Sequence, residues 1–542
     1  MMTEAMKPLG LSFFQTFFGL VSGSAMINIG DRLYIDISRE LRSPVTGKIF
    51  VKSIDAVDVL MQKALINLMK RKDFIKSLNK QKAPMMKTSV WLKWGIDTIK
   101  CYRRNDHAIV KKRMKQNEIL MLEREKKIAG LSGDALFDFI SQDFKNIKNE
   151  IFKNYGPEFA AAYATSWINK NMNKWLNEKN AADILAQSVY DNVTSEMGLK
   201  LLDVADVVRK YPAVMDYFEY ASDETFYKDL ESLTGGKEVG DALRDFLKNY
   251  GMRCSAEIDI TRARWNEKPT ILVPMILSNI KTFGPGAHNT KFEQGLKEAK
   301  SKEEDIVRRL IKLPGGKSKA KKTRKVISIL RNYAGFREYN KYVIIWYMWI
   351  VKQSLLKEAD KLVANGVISN KEDIYYLTFK ELCETVHSNN VDLNIIEKRK
   401  EKYEINEKLT PPRVITSDGE IISGEYDTGN IPKGALAGVA VSSGVVEGRA
   451  RIILKMEDAN IEEGDILVTS FTDPSWTPVF VSIKGLVTEV GGMMTHGAVV
   501  AREYGLPAVV SVENATKVIK DGQRIRVNGT EGYVEIIDEA KS

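Results

Sequence analysis

Cysteine is scarce in this chain of 542 residues. The three cysteines, Cys101, Cys254 and Cys383, are odd in number and far apart. They therefore exclude a disulfide framework, and their spacing excludes a paired-cysteine zinc site. Such sparse use of cysteine is typical of a reducing compartment, so we expect a cytoplasmic location.

The chain also lacks a long, uninterrupted hydrophobic run. Its most membrane-like stretch, residues 9–29, contains Ser12, Gln15, Thr16 and three glycines, and only Lys7 and Glu4 flank it on the left. A signal peptide needs a positively charged N-terminal region, and a membrane span needs continuous apolar residues. We therefore expect this stretch to be buried protein core, and we expect no membrane partner.

A strong charge imbalance is missing as well. The formal net charge of +10 is modest for this length, and it suits phosphorylated ligands and plain solubility equally. The basic run KSKAKKTRK at residues 317–325 carries no nucleic-acid-binding motif, so we interpret it as solvated surface. The preceding Gly315-Gly316 lacks the first glycine of a phosphate-binding loop and does not clearly follow a strand. No nucleotide site, metal site or nucleic-acid partner is predicted.

Proline is absent over two long stretches, from residue 85 to 156 and from residue 315 to 410. Within the first, apolar residues recur at helical spacing and form a single stripe, as in Leu136, Ile140, Phe144, Ile147 and Ile151. Such a stripe is typical of a helix packed against a core. The first 425 residues are therefore predicted to be mostly helical.

The composition changes near residue 410. Residues 410–434 are rich in Pro, Gly, Asp and Ser and have no helical period, which indicates an interdomain linker. Short strands are predicted beyond it, at 450–454, 465–469, 485–490, 508–512, 524–527 and 533–537. We predict a multi-domain α+β protein, with a helical domain over residues 1–425, a linker over 426–437 and a small domain over 438–542.

The most informative stretch is GGMMTHGAVVAREYGLPAVV at residues 491–510. A strand is predicted before Gly491 and Gly492, and a helix that Thr495 caps is predicted to begin at His496. A helix N-terminus favours an anion and disfavours a charged imidazole, so a neutral His496 is suited to accept a phosphoryl group. From geometry alone, a histidine that merely caps the helix fits equally well.

This stretch closely resembles the phosphohistidine segment of the PEP-utilising dikinases, and its Met493-Met494-Thr495-His496 variant most resembles rifampicin phosphotransferases. The resemblance implies that His496 carries phosphate, with Gly491, Gly492 and Thr495 binding it. It also implies that the small domain is a swivelling β/β/α phosphohistidine domain and that the helical domain binds the acceptor.

A second element is predicted within one long helix, from Thr323 to Ala364. Arg337 and Lys341 lie four residues apart and are expected on one face, just before a run that is apolar on every side, residues 342–351. Spacing alone favours an exposed helix start entering a core. The sequence Arg337-Glu338-Tyr339-Asn340-Lys341 resembles the family's R-E-x-x-K acceptor-site element. This resemblance implies that Arg337 and Lys341 are catalytic and that Trp346 and Trp349 bind the acceptor.

Residues 251–265, GMRCSAEIDITRARW, mix charged and apolar residues without a clean period. They resemble an EIDI-x-R-x-RW element of the same phosphotransferases. We interpret this segment as an internal salt-bridge network that holds the domain together. Direct contact with the substrate is the alternative.

In the family, an ATP-grasp domain precedes the acceptor domain, and this chain opens directly on Met1-Met2-Thr3. The resemblance therefore implies that no cofactor is held by this chain and that Mg-ATP binds an ATP-grasp domain or subunit in trans. The predicted activity is transfer of phosphate from His496 to a hydroxyl of an apolar, rifamycin-like small molecule, which would inactivate an antibiotic. The alternatives are a subunit of a split dikinase with another acceptor, similar to phenylphosphate synthase or PEP synthase, and a non-catalytic drug-binding fragment.

Overall fold

The structure is a computed structural model that describes residues 4–22, 26–42, 44–54, 58–78, 88–152, 155–426, 431–493 and 495–537. Helices dominate these residues up to about 410, and one large sheet follows. The predicted α+β class, with a large helical part before a smaller sheet-containing part, is confirmed. Met1–Thr3, Met494 and part of the predicted linker, residues 427–430, lie outside the described residues.

The N-terminal elements surround a short hairpin. Its strands β1 and β2 pair antiparallel, with Met26 opposite Ile35. The elements of this region are α1 (Pro8–Ser22), β1 (Met26–Ile29), β2 (Arg32–Ile35), α2 (Ser38–Leu41), α3 (Pro44–Ile54), α4 (Val59–Leu68), α5 (Lys72–Leu78), α6 (Thr88–Arg104) and α7 (Ala108–Ala129).

The central helices build the main core. The stripe predicted from Leu136 to Ile151 lies on one helix, and all five of its residues are buried. The helices are α8 (Asp134–Phe152), α9 (Gly156–Leu176), α10 (Ala181–Leu185), α11 (Val193–Val208), α12 (Pro212–Phe218), α13 (Phe226–Glu231), α14 (Gly236–Tyr250), α15 (Val273–Thr282) and α16 (Ala287–Ile311).

The predicted long helix is broken in two. The structure has α17 (Gly316–Tyr333), a 3-10 turn (Ala334–Glu338) and α18 (Tyr339–Ala364), so the prediction of one continuous helix from Thr323 to Ala364 is wrong. The side chain of Phe336 is fully buried in the turn, and a Cβ on Gly335 would lie 2.2 Å from the carbonyl oxygen of Tyr190. Long-range packing therefore imposes the break, which puts Arg337 in the turn and Lys341 in α18.

The chain then reaches the sheet through α19 (Phe379–Ser388), α20 (Leu393–Glu407) and a two-stranded hairpin of β3 (Val414–Ile415) and β4 (Ile421–Ile422). This hairpin lies within residues 410–434, whose composition indicated a linker, and it packs on α4. The domain boundaries remain predictions.

The large sheet has the strand order β5-β12-β11-β7-β8-β9-β10-β6. Its four central strands, β7, β8, β9 and β10, are parallel to one another. The flanking strands β11 and β6 pair antiparallel with β7 and β10. The elements are β5 (Leu436–Ala437), β6 (Val439–Ser442), β7 (Val445–Ile452), β8 (Asp465–Thr469), α21 (Thr477–Phe480), β9 (Gly485–Thr488), α22 (His496–Glu503), β10 (Ala508–Val510), α23 (Ala515–Val518), β11 (Arg524–Asn528) and β12 (Tyr533–Ile536).

The two faces of this sheet belong to different cores. Alternate residues of a strand point to opposite faces. Ile466 and Val468 therefore join a small core of the sheet domain itself, whereas Leu467 joins the large core that also contains the central helices. The helices and the sheet are thus packed together through α21 and α22.

No helix within the described residues is long and apolar enough to cross a lipid bilayer.

Candidate active site

The turn before α22 is built by close backbone packing. Gly491 has φ +155°, and a Cβ there would lie 3.2 Å from both Thr495 Oγ1 and Val510 Cβ. Thr495 occupies the N-cap position as predicted, but its side chain accepts no bond from the helix. Its hydroxyl donates instead to the carbonyl of Gly492 at 2.8 Å, closing the turn.

The first turn of α22 is equally tight. A Cβ on Gly497 would lie 2.3 Å from Thr472 Oγ1, so only glycine fits beside that side chain. Since Gly497 directly follows His496, the backbone of the histidine is held on both sides. The sequence prediction of a strand, a double glycine and a helix beginning at His496 matches the structure here.

The two ring nitrogens of His496 have different surroundings. Nε2 lies 3.2 Å from Thr477 Oγ1, whose hydroxyl is also 2.9 Å from the carbonyl of Pro474, to which it donates. Nδ1 has no hydrogen-bond partner among the described residues, and lies 3.8 Å from Glu338 Oε2. Burial, together with the nearby cations Lys341, Arg337 and Arg253, lowers the pKa of His496 to about 3, despite the opposing effect of Glu338. The imidazole is therefore neutral.

Arg337 and Lys341 both contribute to the electrostatic surroundings of this imidazole, but each is held by a different carboxylate. The Arg337 guanidinium lies 2.5 Å from Glu338 Oε1, and Lys341 Nζ lies 3.2 Å from Glu257 Oε1. Burial alone would raise the pKa of Glu338, but the charge of Arg337, together with those of Lys341 and Arg253, holds it below the ordinary glutamate value. Glu338 is therefore ionised at neutral pH.

The charged segment 251–265 does form an internal network. Arg253 pairs with Glu257 at 3.2 Å, and Arg264 donates to the carbonyls of Glu257 and Asp259 at 2.7 and 3.0 Å. The segment also contacts the site, since Glu257 binds Lys341 and the amide of Ala256 donates to Asp473 at 2.5 Å. The network thus joins the acceptor element to the loop before α21.

A small cavity of about 240 Å³ lies between the segment 251–265, the loop before α21 and the turn before α22. It is lined by groups from both domains, among them Glu257, Lys341, Thr472, Asp473, Gly491 and Thr495. Lys341 and two of the three predicted phosphate-binding residues therefore share one cavity. The third, Gly492, is buried and donates its amide to Thr495 Oγ1 at 3.3 Å.

A larger cavity of about 720 Å³ lies between α7, α11, α14 and α18. Trp346 and Trp349 are part of its wall, together with other aromatic residues, among them Phe246, Tyr250, Tyr339 and Tyr342. The Arg253 guanidinium lies 5.5 Å from the centre of the Tyr342 ring. Tyr342, which lines this cavity, thus packs on Arg253, and Arg253 pairs with Glu257, the carboxylate that binds Lys341.

The C-terminal end of α22 docks on the helical domain through polar groups. Arg502 Nε lies 3.7 Å from Asp183 Oδ1, the hydroxyl of Ser195 donates to Glu503 at 2.5 Å, and the Tyr504 hydroxyl donates to the Ser195 carbonyl at 3.0 Å. Burial raises the pKa of Asp183 to about 6 and raises that of Glu503. His496 is thus held against the acceptor element.

Sequence reasoning missed several residues of this site. Glu338 lies inside the element that was singled out, between two residues that were assigned roles, and Glu257 lies inside the charged segment. Thr477 and Asp473 lie in the loop and turn before β9, and the sequence carries no signal that would connect them to His496. Within the described residues, no group of three or more His, Cys, Asp or Glu converges as metal ligands.

Two family models and several relatives match this chain. Residues 154–338 match the fourth domain of rifampicin phosphotransferase, and residues 461–532 match the mobile domain of PEP-utilising enzymes. Rifampicin phosphotransferase of Bacillus subtilis (strain 168) is 54% identical over 538 residues, which cover 99% of this chain and 61% of that protein. Over nearly its whole length, the chain is thus similar to rifampicin phosphotransferases. The match to the mobile domain contains His496 and the turn that positions it.

Other relatives match all or part of the chain. Rifampicin phosphotransferase of Streptomyces sviceus is 45% identical over 542 residues, with 99% of this chain and 61% of that protein covered. Phosphoenolpyruvate synthase of Aeropyrum pernix is 45% identical over 108 residues, which cover 19% of this chain and 13% of that protein. The chain spans about three-fifths of the length of the rifampicin phosphotransferases that it matches.

Proposed function

We propose that this chain transfers a phosphoryl group from His496 to a hydroxyl of a bound, apolar small molecule such as rifampicin. The observation that carries the proposal is the neutral imidazole of His496, buried beside the cationic element of Arg337 and Lys341. A neutral imidazole is a nucleophile, and it becomes a good carrier because the P–N bond of phosphohistidine is reactive enough to pass phosphate onward.

Arg337 and Lys341 are assigned to the phosphoryl group rather than to the body of the acceptor. Fixed cations stabilise negative charge that shifts during transfer, and they do so most effectively in a buried site. Lys341, Gly491 and Thr495 line the same small cavity. Gly492 supports the turn.

The aromatic cavity is assigned to the acceptor. Its volume of about 720 Å³ lies in the range of drug-sized ligand pockets, and flat aromatic side chains favour an apolar body. Trp346 and Trp349 would supply contact area there. The family's names support rifampicin as the first acceptor to test.

Charging of His496 is assigned to Mg-ATP bound on an ATP-grasp domain or subunit that acts on this chain in trans. Residues 315–318 lack the glycine spacing of a phosphate-binding loop. We also propose a cytoplasmic location, because Cys101, Cys254 and Cys383 are all free.

The test is labelling with ATP that carries ³²P at the β position, in the presence of an ATP-grasp domain from a relative. We expect acid-labile, base-stable label on this chain, and its transfer to rifampicin when rifampicin is added. Label that persists on His496→Ala would overturn the assignment of the carrier. Label on His496 that reaches another hydroxyl compound but not rifampicin would replace the acceptor.

A further inference from the structure

Glu338 belongs to the acceptor element, yet one of its two carboxylate oxygens faces His496. Its Oε2 lies 3.8 Å from Nδ1 of His496, and its other oxygen contacts Arg337. Both side chains are largely buried, with 10% of the Glu338 side chain and 8% of the His496 side chain exposed. Glu338 and His496 lie on separate elements, the turn before α18 and the start of α22, so their approach depends on how these two elements pack together.

We propose that Glu338 activates phospho-His496 on docking, by stabilising a proton on Nδ1 so that the imidazole leaves as a neutral group. This inference rests on the proposed function. It assigns a role to a residue between the two cations, and it explains why a carboxylate lies in a site that must receive a dianion.

The charges decide which nitrogen carries the phosphoryl group. A phosphoryl dianion on Nδ1 would lie against an ionised carboxylate, and like charges at that distance repel strongly. Nε2 faces Thr477 Oγ1 instead, a neutral hydroxyl oxygen that brings no negative charge against a phosphoryl group. The phosphoryl group therefore belongs on Nε2, and Nδ1 is left to hold the proton.

The transfer step then balances in atoms and charge. The P–Nε2 bond breaks and its electron pair remains on Nε2, while a P–O bond forms to the acceptor hydroxyl. The hydroxyl proton leaves to solvent. Because Nδ1 already holds a proton, the leaving group is neutral imidazole, whereas without that proton it would be the far more basic imidazolate anion.

The remaining charged groups agree with this sequence of states. Arg337, Lys341 and Arg253 oppose a positive imidazole in the unphosphorylated site. The phosphoryl dianion offsets those cations while it is present, so the proton on Nδ1 is then favoured by both the dianion and Glu338. After transfer the dianion leaves with the acceptor, and the imidazole remains neutral.

The experiment measures single-turnover transfer from the charged full-length chain to rifampicin between pH 5.5 and 9. The wild type and Glu338→Gln are charged with potassium phosphoramidate, a chemical phosphoryl donor, and His496→Ala measures phosphate on the other histidines. We expect Glu338→Gln to slow transfer about 100-fold at pH 8. Because removal of a carboxylate lowers the pKa of Nδ1, the loss should shrink as the pH falls, and the two proteins should converge near pH 5.5.

Two further variants separate this role from a structural one. Glu338→Asp keeps the charge and should lose less activity than Glu338→Gln at pH 8. Glu158→Gln alters another buried carboxyl near Arg337 that has no contact with His496, and should stay within about twofold of the wild type. A loss in Glu338→Gln that is the same at every pH would overturn the inference, because a misplaced ring is not restored by acid.

The outcomes distinguish this inference from the proposed function. If the wild type accepts phosphate on His496 and delivers it, but Glu338→Gln delivers equally well at pH 8, only the role of Glu338 fails. If the wild type is charged and rifampicin receives nothing, the proposed acceptor fails, and release of inorganic phosphate to water tests Glu338 over the same pH series. If His496 accepts no phosphate, both fail.

Discussion

The carrier turn and the acceptor element meet at one imidazole, but they are held in different ways. The carrier turn, residues 491–497, depends on backbone fit, because Gly491 has a positive φ and Gly497 leaves no room for a side chain. In the acceptor element, residues 337–341, packing around the preceding Gly335 sets the backbone, but the side chains of Arg337 and Lys341 are each fixed by a carboxylate. Backbone shape therefore positions His496, and paired charges position the side chains of Arg337 and Lys341.

This difference predicts opposite responses to substitution. A change of side-chain charge should alter the chemistry of the acceptor element and leave its fold in place. A change of backbone freedom should disturb the carrier turn even when no charge or polar group is lost.

The largest effect is expected from Arg337→Ala. Loss of one fixed cation beside the phosphoryl group should cost about 3–4 kcal/mol in the transition state, or two to three decades in rate. The dissociation constant for rifampicin should stay within about threefold, because the cation is assigned to the phosphate. Single-turnover transfer and calorimetry measure the two quantities, with Lys341→Ala as a parallel variant. If a variant loses affinity for rifampicin but transfers phosphate at the normal rate when rifampicin is saturating, these cations bind the acceptor and do not act on the phosphoryl group.

Gly491→Ala tests the carrier turn. A non-glycine residue at φ +155° is strained, by about 1–3 kcal/mol. We expect charging of His496 to fall roughly tenfold or more although no polar group is lost. Incorporation of phosphate from phosphoramidate measures the effect. The matched control is Gly95→Ala, in the middle of α6, where a Cβ meets nothing within 4 Å. If Gly491→Ala and Gly95→Ala incorporate phosphate equally well, the function of the carrier turn does not depend on its backbone conformation.

Trp349→Ala tests the aromatic cavity, whose wall includes Trp349. Truncation of a tryptophan that anchors a ligand typically costs about 1–2 kcal/mol, so the dissociation constant for rifampicin should rise about 5- to 30-fold. The rate at saturating rifampicin should change little. The control is Trp175→Ala, at the end of α9, outside the residues that line this cavity. Unchanged affinity in Trp349→Ala would move the acceptor to another cavity.

The smallest effect on activity is expected from Glu158→Gln, which should instead change how the free energy of unfolding depends on pH. Burial raises the pKa of Glu158 to about 7, so the folded protein holds an extra proton between the ordinary glutamate pKa of 4.5 and that value. Unfolding free energy from this group therefore falls as pH rises from about 4.5 to 7 and is constant above. Glu158→Gln should remove that loss, so the stability of this variant relative to the wild type should rise by about 2–3 kcal/mol from pH 5 to pH 8. Melting temperatures at both pH values provide the check.

The sequence predicted the carrier turn better than the acceptor element for a physical reason. The signals for the turn are local, since a double glycine, an N-cap residue and Gly505 determine backbone shape within a few residues. The break before α18 comes from contacts with residues far away in the chain, such as the carbonyl of Tyr190 against Gly335. Helical spacing carries no information about such contacts.

The small domain shows the same limit. Strand β8 was predicted at its observed bounds, Asp465–Thr469, because it is buried on both faces and reads as a continuous apolar run apart from its ends. The edge strands β5 (Leu436–Ala437) and β6 (Val439–Ser442) were missed. They are short, and they depend on pairing with β12 and β10 for their definition.

The polar contacts at the end of α22 have a consequence for turnover. Arg502, Glu503 and Tyr504 reach Asp183 and Ser195 through charges and hydroxyls, all of which water solvates well when the surfaces separate. These polar contacts orient α22, while the apolar residues that α21 and α22 bury in the large core hold the sheet against the helices. In the carrier role that we propose, each cycle would expose that apolar surface, so release of the carrier depends on more than the polar contacts.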